Sequence, residues 1–310
     1  MDTNAWANTS WRDLAQVRAN LEAGADPDAL IFGYHRPLDY AVRFGTPEVV
    51  AELAGHVRDV DAEDQGRTAL WRAVFDNRPD CAHALAEAGA DPWRPMMAGW
   101  SPGRLALAGP HPDLFSPPRA ELSAAEAATV AEAPRLISAL NDLYYDGFSL
   151  ACVAGISADD AARRLEAPTV EAPESEEYGD LFDYDDSVVG ATNVPGGCAI
   201  VQPWAYGASM PGVAKALSKG TVCYAMYANP KSGNQGRIAR DGVLEAWDLH
   251  PGGGEAGAND TAEEVLLTYL YQHNAVAFCF AYAGLRPTDA RPLTGPTDMW
   301  LQLPERDYWH

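Results

Sequence analysis

The chain has 310 residues, 47% of them hydrophobic and 10% aromatic, which is enough to bury one or two sizeable cores and excludes a wholly disordered polypeptide. Its 44 acidic residues outnumber 22 Lys and Arg, and the resulting formal charge of −22 argues against direct binding to a nucleic-acid backbone or an anionic membrane surface and for a basic protein partner. Cys81, Cys152, Cys198, Cys223 and Cys279 are widely spaced with no CxxC pair, which fits neither a disulfide framework nor a structural zinc site. No apolar run approaches the ~20 residues that span a bilayer. The expectation is a soluble cytoplasmic protein with no cofactor or metal.

Shifting the chain against itself by about 33 residues brings segments of the first third into register. Gly66-Arg67-Thr68-Ala69-Leu70-Trp71-Arg72-Ala73 aligns with Gly99-Trp100-Ser101-Pro102-Gly103-Arg104-Leu105-Ala106 and, upstream, with Arg36-Pro37-Leu38-Asp39-Tyr40-Ala41. A second anchor agrees: Leu21-Glu22-Ala23-Gly24-Ala25-Asp26-Pro27 returns as Leu85-Ala86-Glu87-Ala88-Gly89-Ala90-Asp91-Pro92, with Asp59-Val60-Asp61-Ala62 between them. Thr68 and Ser101 are placed to cap a helix by accepting from exposed backbone N–H groups, and Pro37 and Pro102 take the first helical position, where no donor is lost. Small Ala41, Ala73 and Ala106 allow close helix approach, while Gly24 and Gly89 suit the left-handed end of a second helix.

This pattern resembles ankyrin repeats over residues 8–115: a T-P-L-H-x-A-like start, a turn glycine (Gly45), an apolar second helix and a closing L-x-x-G-A-D. The resemblance implies an N-terminal cap helix in 8–29, full repeats at 30–62 and 63–95, and a truncated repeat at 96–115. Asp39, Trp71 and Arg104 depart from the family's His, and Gly103 from its Leu. A single unit cannot bury its apolar face, so about three must stack.

Ankyrin repeats bind through hairpin tips and the exposed side of first helices. Carried over by position, the partner-binding candidates are Phe32, Gly33, His35, Arg43 and Phe44, then Asp64, Gln65, Arg67, Phe75 and Asp76, then Met97, Ala98 and Trp100. Aromatic and Arg side chains of this kind are enriched at protein interfaces. Phe44 and Phe75 have an alternative use as packing for the protein's own second domain. The seven histidines lack metal-ligand spacing.

Prolines 110, 112, 117 and 118 interrupt the helical pattern and separate a domain at 1–115 from a Pro-rich linker and bracing helix at 116–144. The helix is expected over 123–142, with Ser123 and Glu126 as a capping box and a break or kink at Pro134. An α+β domain with a largely antiparallel sheet is expected over 145–310. Its strands are read at 148–154, 198–204, 221–228, 236–239, 244–249 and 276–282, its helices at 158–167, 212–218 and 261–273, and a hairpin loop at 229–234. The stretches 147–165, 196–207 and 216–251 resemble an actinobacterial family known only as a domain of unknown function, which implies a fold and no activity. That family has an acidic residue where this chain has Gln202. The whole chain is thus read as two-domain α+β, an all-α repeat array followed by an α+β domain.

No GxSxG, HExxH, P-loop or GxGxxG motif occurs, and Gly252-Gly253-Gly254 lacks the strand-to-helix setting of a phosphate loop. Asp248 and His250, read on one strand face, are a candidate acid–base pair without a nucleophile, and Glu245 lies nearby. The cysteines read as buried core. The acid-rich stretch 171–186 interleaves Glu176, Glu177 and Asp183 with aromatics such as Tyr184, a composition that suits a solvated loop or a dock for a basic surface. The leading expectation is a non-enzymatic protein-binding adaptor or inhibitor, with a bacterial immunity or defence role as one form of it. The rivals are an enzyme with its site in the second domain and an acidic mimic of nucleic acid.

Overall fold

In the computed structural model, residues 5–140, 146–172 and 187–309 are described. The chain divides into two compact units: Met1–Val130 with Ala256–Tyr269, and Ala131–Glu255 with Leu270–His310. The first begins with α1 (Leu14–Glu22), followed by the helix pairs α2 (Pro37–Phe44) with α3 (Pro47–Ala54) and α4 (Ala69–Phe75) with α5 (Pro79–Glu87). Then come the short α6 (Pro102–Ala108) and the start of the long α7 (Ala124–Leu140), whose residues from Ala131 onward belong to the second unit.

Local chemistry sets these helices as the repeat pattern predicts. Thr68 Oγ1 accepts from Trp71 N at 3.1 Å and Ser101 Oγ from Arg104 N at 3.1 Å, and Pro37, Pro47, Pro79 and Pro102 each open a helix. Gly24 and Gly89 have φ of +87° and +101°. Successive repeats are tied by an aspartate ladder, in which Asp28 Oδ2 accepts from Arg58 N at 3.3 Å and Asp61 Oδ2 from Asp91 N at 3.0 Å. Arg78 adds a clamp on the carbonyls of Val42 and Gly45. Where the family pattern has Leu, Gly103 is required by space: a Cβ there would sit 2.9 Å from both the Pro92 carbonyl and the Trp93 ring. Ser123 and Glu126 form the expected capping box, but α7 runs through Pro134 without a break.

The last helix pair is incomplete, and a distant segment covers it. Residues Ala256–Tyr269 belong to the repeat unit rather than to the later domain that the sequence assigned them to. Trp100, completely buried, donates from Nε1 to the Ala262 carbonyl at 2.8 Å. Arg67 donates to the Ala256 carbonyl, and the Phe75 and Tyr269 rings pack with centroids 5.7 Å apart. Val265, Leu266, Leu267 and Tyr269 are all buried, each contributing about 1.5–3 kcal/mol by transfer from water.

The second unit is built on one sheet of eight antiparallel strands: β1 (Ser149–Ala154), β2 (Thr169–Val170), β3 (Val188–Val194), β4 (Gly197–Gln202), β5 (Val222–Asn229), β6 (Gly233–Arg240), β7 (Val243–Leu249) and β8 (Met299–Gln302). The spatial order is β2-β8-β3-β4-β1-β5-β6-β7, so the apolar β1 is central. The helices are α8 (Ala158–Leu165), α9 (Pro211–Leu217), α10 (Ala262–Leu270, almost all of it in the first unit), α11 (Ala275–Tyr282) and α12 (Arg291–Thr294). Ala151, Val153, Ile200, Ala225 and Leu301 point to one face, where Ala161 and Leu165 of α8 and Val213 and Leu217 of α9 complete the core. On the other face Tyr224 packs against Phe278 and Tyr282 of α11.

Residues 276–282, expected as a strand, are helical. The run is apolar on every side, and a fully buried segment carries no periodicity to separate strand from helix. Strands β2, β3 and β8 were not expected from the sequence. All five cysteines are free and buried, and burial pushes the Cys198 and Cys223 thiols up to about 12, which keeps them protonated and inert. No helix among the described residues is long and apolar enough to cross a membrane.

If α10 closes the array, Tyr269→Ala should lower unfolding stability in urea by about 3–5 kcal/mol through the cavity it leaves. Trp100→Phe should cost about 1–3 kcal/mol by losing the indole hydrogen bond and leaving a gap beside the smaller ring. In both variants, hydrogen exchange should rise first across 256–269.

Candidate functional site

Three hairpin tips carry the same backbone. Each has consecutive positive φ angles: 52° and 80° at Phe32-Gly33, 52° and 74° at Gln65-Gly66, 47° and 81° at Ala98-Gly99. This is the two-residue turn that matches strand twist and favours Asn or Gly. A phenylalanine in the left-handed region is strained, at a cost of order 1–3 kcal/mol. Phe32 is nonetheless 69% exposed, beside Tyr34 at 70%. Leu30 and, at the end of α2, Phe44 are exposed too. Phe44 lies 6.1 Å from Tyr40, which stacks on Trp11 at 5.6 Å, and the Arg43 guanidinium sits 5.9 Å from the Phe44 ring centre. The first repeat therefore exposes three aromatic rings, those of Phe32, Tyr34 and Phe44.

A buried ion network underlies this surface. His35 Nδ1 lies 2.5 Å from Asp64 Oδ2, Arg72 Nη2 reaches the same oxygen at 3.3 Å, and Arg72 Nε lies 3.6 Å from Asp39 Oδ1. Asp39 Oδ2 also accepts from Arg36 N at 3.2 Å. Burial raises the Asp39 carboxyl above its ordinary range and outweighs the opposing pull of Arg72. The network joins the first hairpin tip to the second, and it gives Asp39, which stands where the family pattern has His, its partners.

Residues 7–96 match the family model for ankyrin repeats, in three copies. They are ankyrin repeats. The matched span takes in the cap helix and both full repeats and stops before the truncated unit at 96–115. A search of curated proteins finds no match to the chain. The repeats support a role in protein–protein interaction.

The candidate positions divide between two environments. Phe32, Arg43, Phe44, Gln65 and Asp76 are exposed, and His35 and Asp64 are half-buried within the network. Arg67, Phe75, Trp100 and Met97 are corrected: they are buried, the first three against the protein's own Ala256–Tyr269, so they offer no open ankyrin surface. Of the two phenylalanines given an alternative use as packing for the second domain, Phe75 packs on Tyr269 within its own unit and Phe44 is exposed. Glu176, Glu177, Asp183 and Tyr184 lie outside the described residues. Sequence reasoning missed Leu30 and Tyr34. The signal was present, since aromatic and apolar residues flank a turn position that disfavours them.

The acid–base candidates are not brought together for catalysis. Glu245 pairs with Arg240 at 3.1 Å, His250 Nδ1 lies 3.0 Å from the Asn234 carbonyl, and Asp248, with φ of 57°, breaks the alternation that would have aligned it with His250. Among the described residues, no group of three or more His, Cys, Asp or Glu is placed to hold a metal ion.

Because Asp39 binds its proton more tightly in the folded state, its contribution to stability is full below pH 3.8 and is lost as pH rises through the raised folded value. Carboxyl-carbon NMR should place its midpoint above 3.8. Asp64→Asn, which removes a like charge, should move that midpoint down, and Arg72→Met should move it up.

Proposed function

We propose that this protein is a non-enzymatic adaptor or inhibitor that grips a basic protein through its first ankyrin repeat. The observation that carries this reading is Phe32, a bulky aromatic residue held at a strained turn position and left in solvent, in a repeat that also exposes Leu30, Tyr34 and Phe44. Natural sequences keep such strain where it serves a site. Aromatic anchors of this kind supply most of the energy at protein interfaces. The formal charge of −22 supports a basic partner, because it speeds encounter and repels acidic competitors. The acid-rich stretch around Glu176, Glu177 and Asp183 adds to that attraction. A bacterial immunity or defence role, in which the bound protein is a toxin, is the form of this reading that the charge favours.

The test is retention of a partner from native cytoplasm on the immobilised full-length protein, followed by titration with the purified partner. The triple replacement of Phe32, Tyr34 and Phe44 by Ala should weaken binding at least a hundredfold, and affinity should fall as salt rises. Arg67→Lys and Asp76→Ala should change it little. Phe32→Asn should at the same time stabilise the fold by about 1 kcal/mol by relieving the turn. A partner bound equally well by the triple variant would overturn the reading.

A further inference from the structure

The second unit carries its own exposed aromatic cluster, and the backbone beneath it is strained. After β4 the chain turns through 203–209 and holds Ala205 at φ of 121°, a region that residues with a side chain rarely adopt. Buried polar groups fix this turn from several sides. The Gln202 side chain, almost fully buried, accepts from Gly207 N at 2.6 Å and donates to the Val188 carbonyl at 2.9 Å. Ser149 Oγ accepts from Ala208 N at 3.3 Å, and Ala205 N donates to the Gly147 carbonyl at 3.1 Å. Gly147, with φ of 81°, must be glycine, because a Cβ there would run into the Trp204 indole.

What the strained turn achieves is the outward display of Trp204 and Tyr206 on either side of Ala205. Tyr206 is 48% exposed and stands edge-on between two further rings, Tyr227 at 5.2 Å and 74° and Trp309 at 5.6 Å and 64°. Trp309 is itself 51% exposed. Rings set at such steep angles let one ligand touch more than one π face, and π faces attract cations. The surrounding charge agrees. Asp146 precedes Gly147, Asp307 Oδ1 accepts from Trp309 N at 2.8 Å, and the nearby Arg306 is taken up by Glu166 at 2.9 Å. Burial, reinforced by Tyr206, raises the Tyr227 phenol, so it meets a ligand as a neutral ring.

We propose that Tyr206, Tyr227 and Trp309, displayed by the strained turn at Ala205, form a binding site for a small organic cation of the alkylammonium type. All three rings belong to the second unit.

The probe is choline, titrated into the full-length protein and followed by indole N–H NMR signals. Its uncharged counterpart of the same shape, 3,3-dimethyl-1-butanol, serves as the control. Choline should bind roughly tenfold more tightly than the alcohol, the size of a partly desolvated cation–π contact. Tyr206→Ala and Trp309→Ala should abolish the difference, Tyr206→Phe should preserve it because the ring remains, and Trp247→Ala, an exposed tryptophan on β7, should leave it unchanged. Equal affinity for the alcohol, no saturable shift with choline, or full binding by a folded Tyr206→Ala protein would each overturn the proposal.

Discussion

The repeat unit depends on the burial of Trp100 and the capture of its indole N–H by the Ala262 carbonyl. An array this short ends on α6 without a second helix in the repeat pattern, and an apolar end left in water would cost what the stacking of the earlier units gains. The chain meets that cost with Ala256–Tyr269, brought back from far along the sequence. Val265, Leu266 and Leu267 bury apolar area there, and Tyr269 fills the space beside Phe75 and Gly109. Four buried side chains at about 1.5–3 kcal/mol each make the segment part of the core. A loosely held cover would not bury so much.

That closure also decides which surface remains open. The same contacts that complete the array take Arg67, Phe75 and Trp100 out of solvent, so the middle and last units have spent much of the face that ankyrin repeats use for binding. The first repeat keeps its face, and its chemistry differs from theirs: Phe32 stands where the other tips have Gln65 and Ala98. Beneath it, the network of His35, Asp64, Arg72 and Asp39 ties one tip to the next.

In the second unit, helices cover much of both sheet faces, which accounts for the small and apolar residues of β1 and for thiols that burial holds in the protonated state. At the turn after β4, buried Gln202 and Ser149 hold the strained Ala205 in place. The position of Gln202 explains why a neutral amide suits it: it must both donate and accept within the interior, and a carboxylate could only accept.

Local chemistry made the repeats legible. Caps at Thr68 and Ser101, prolines at the first helical position, glycines at helix ends and a period of about 33 residues each act over a few bonds, so the sequence alone determined the helix pairs, their register and the hairpin tips. It also determined most of the antiparallel strands, where alternation and turn composition are local signals. Tertiary structure alone decided that 276–282 is a helix, since a segment buried on every side carries no pattern. It alone decided that Ala256–Tyr269 leaves the later domain for the repeats, and hence that Phe75 is buried while Phe44 is open. Those outcomes rest on contacts between residues far apart in the chain, and the identity of such partners is not encoded in the spacing of either one.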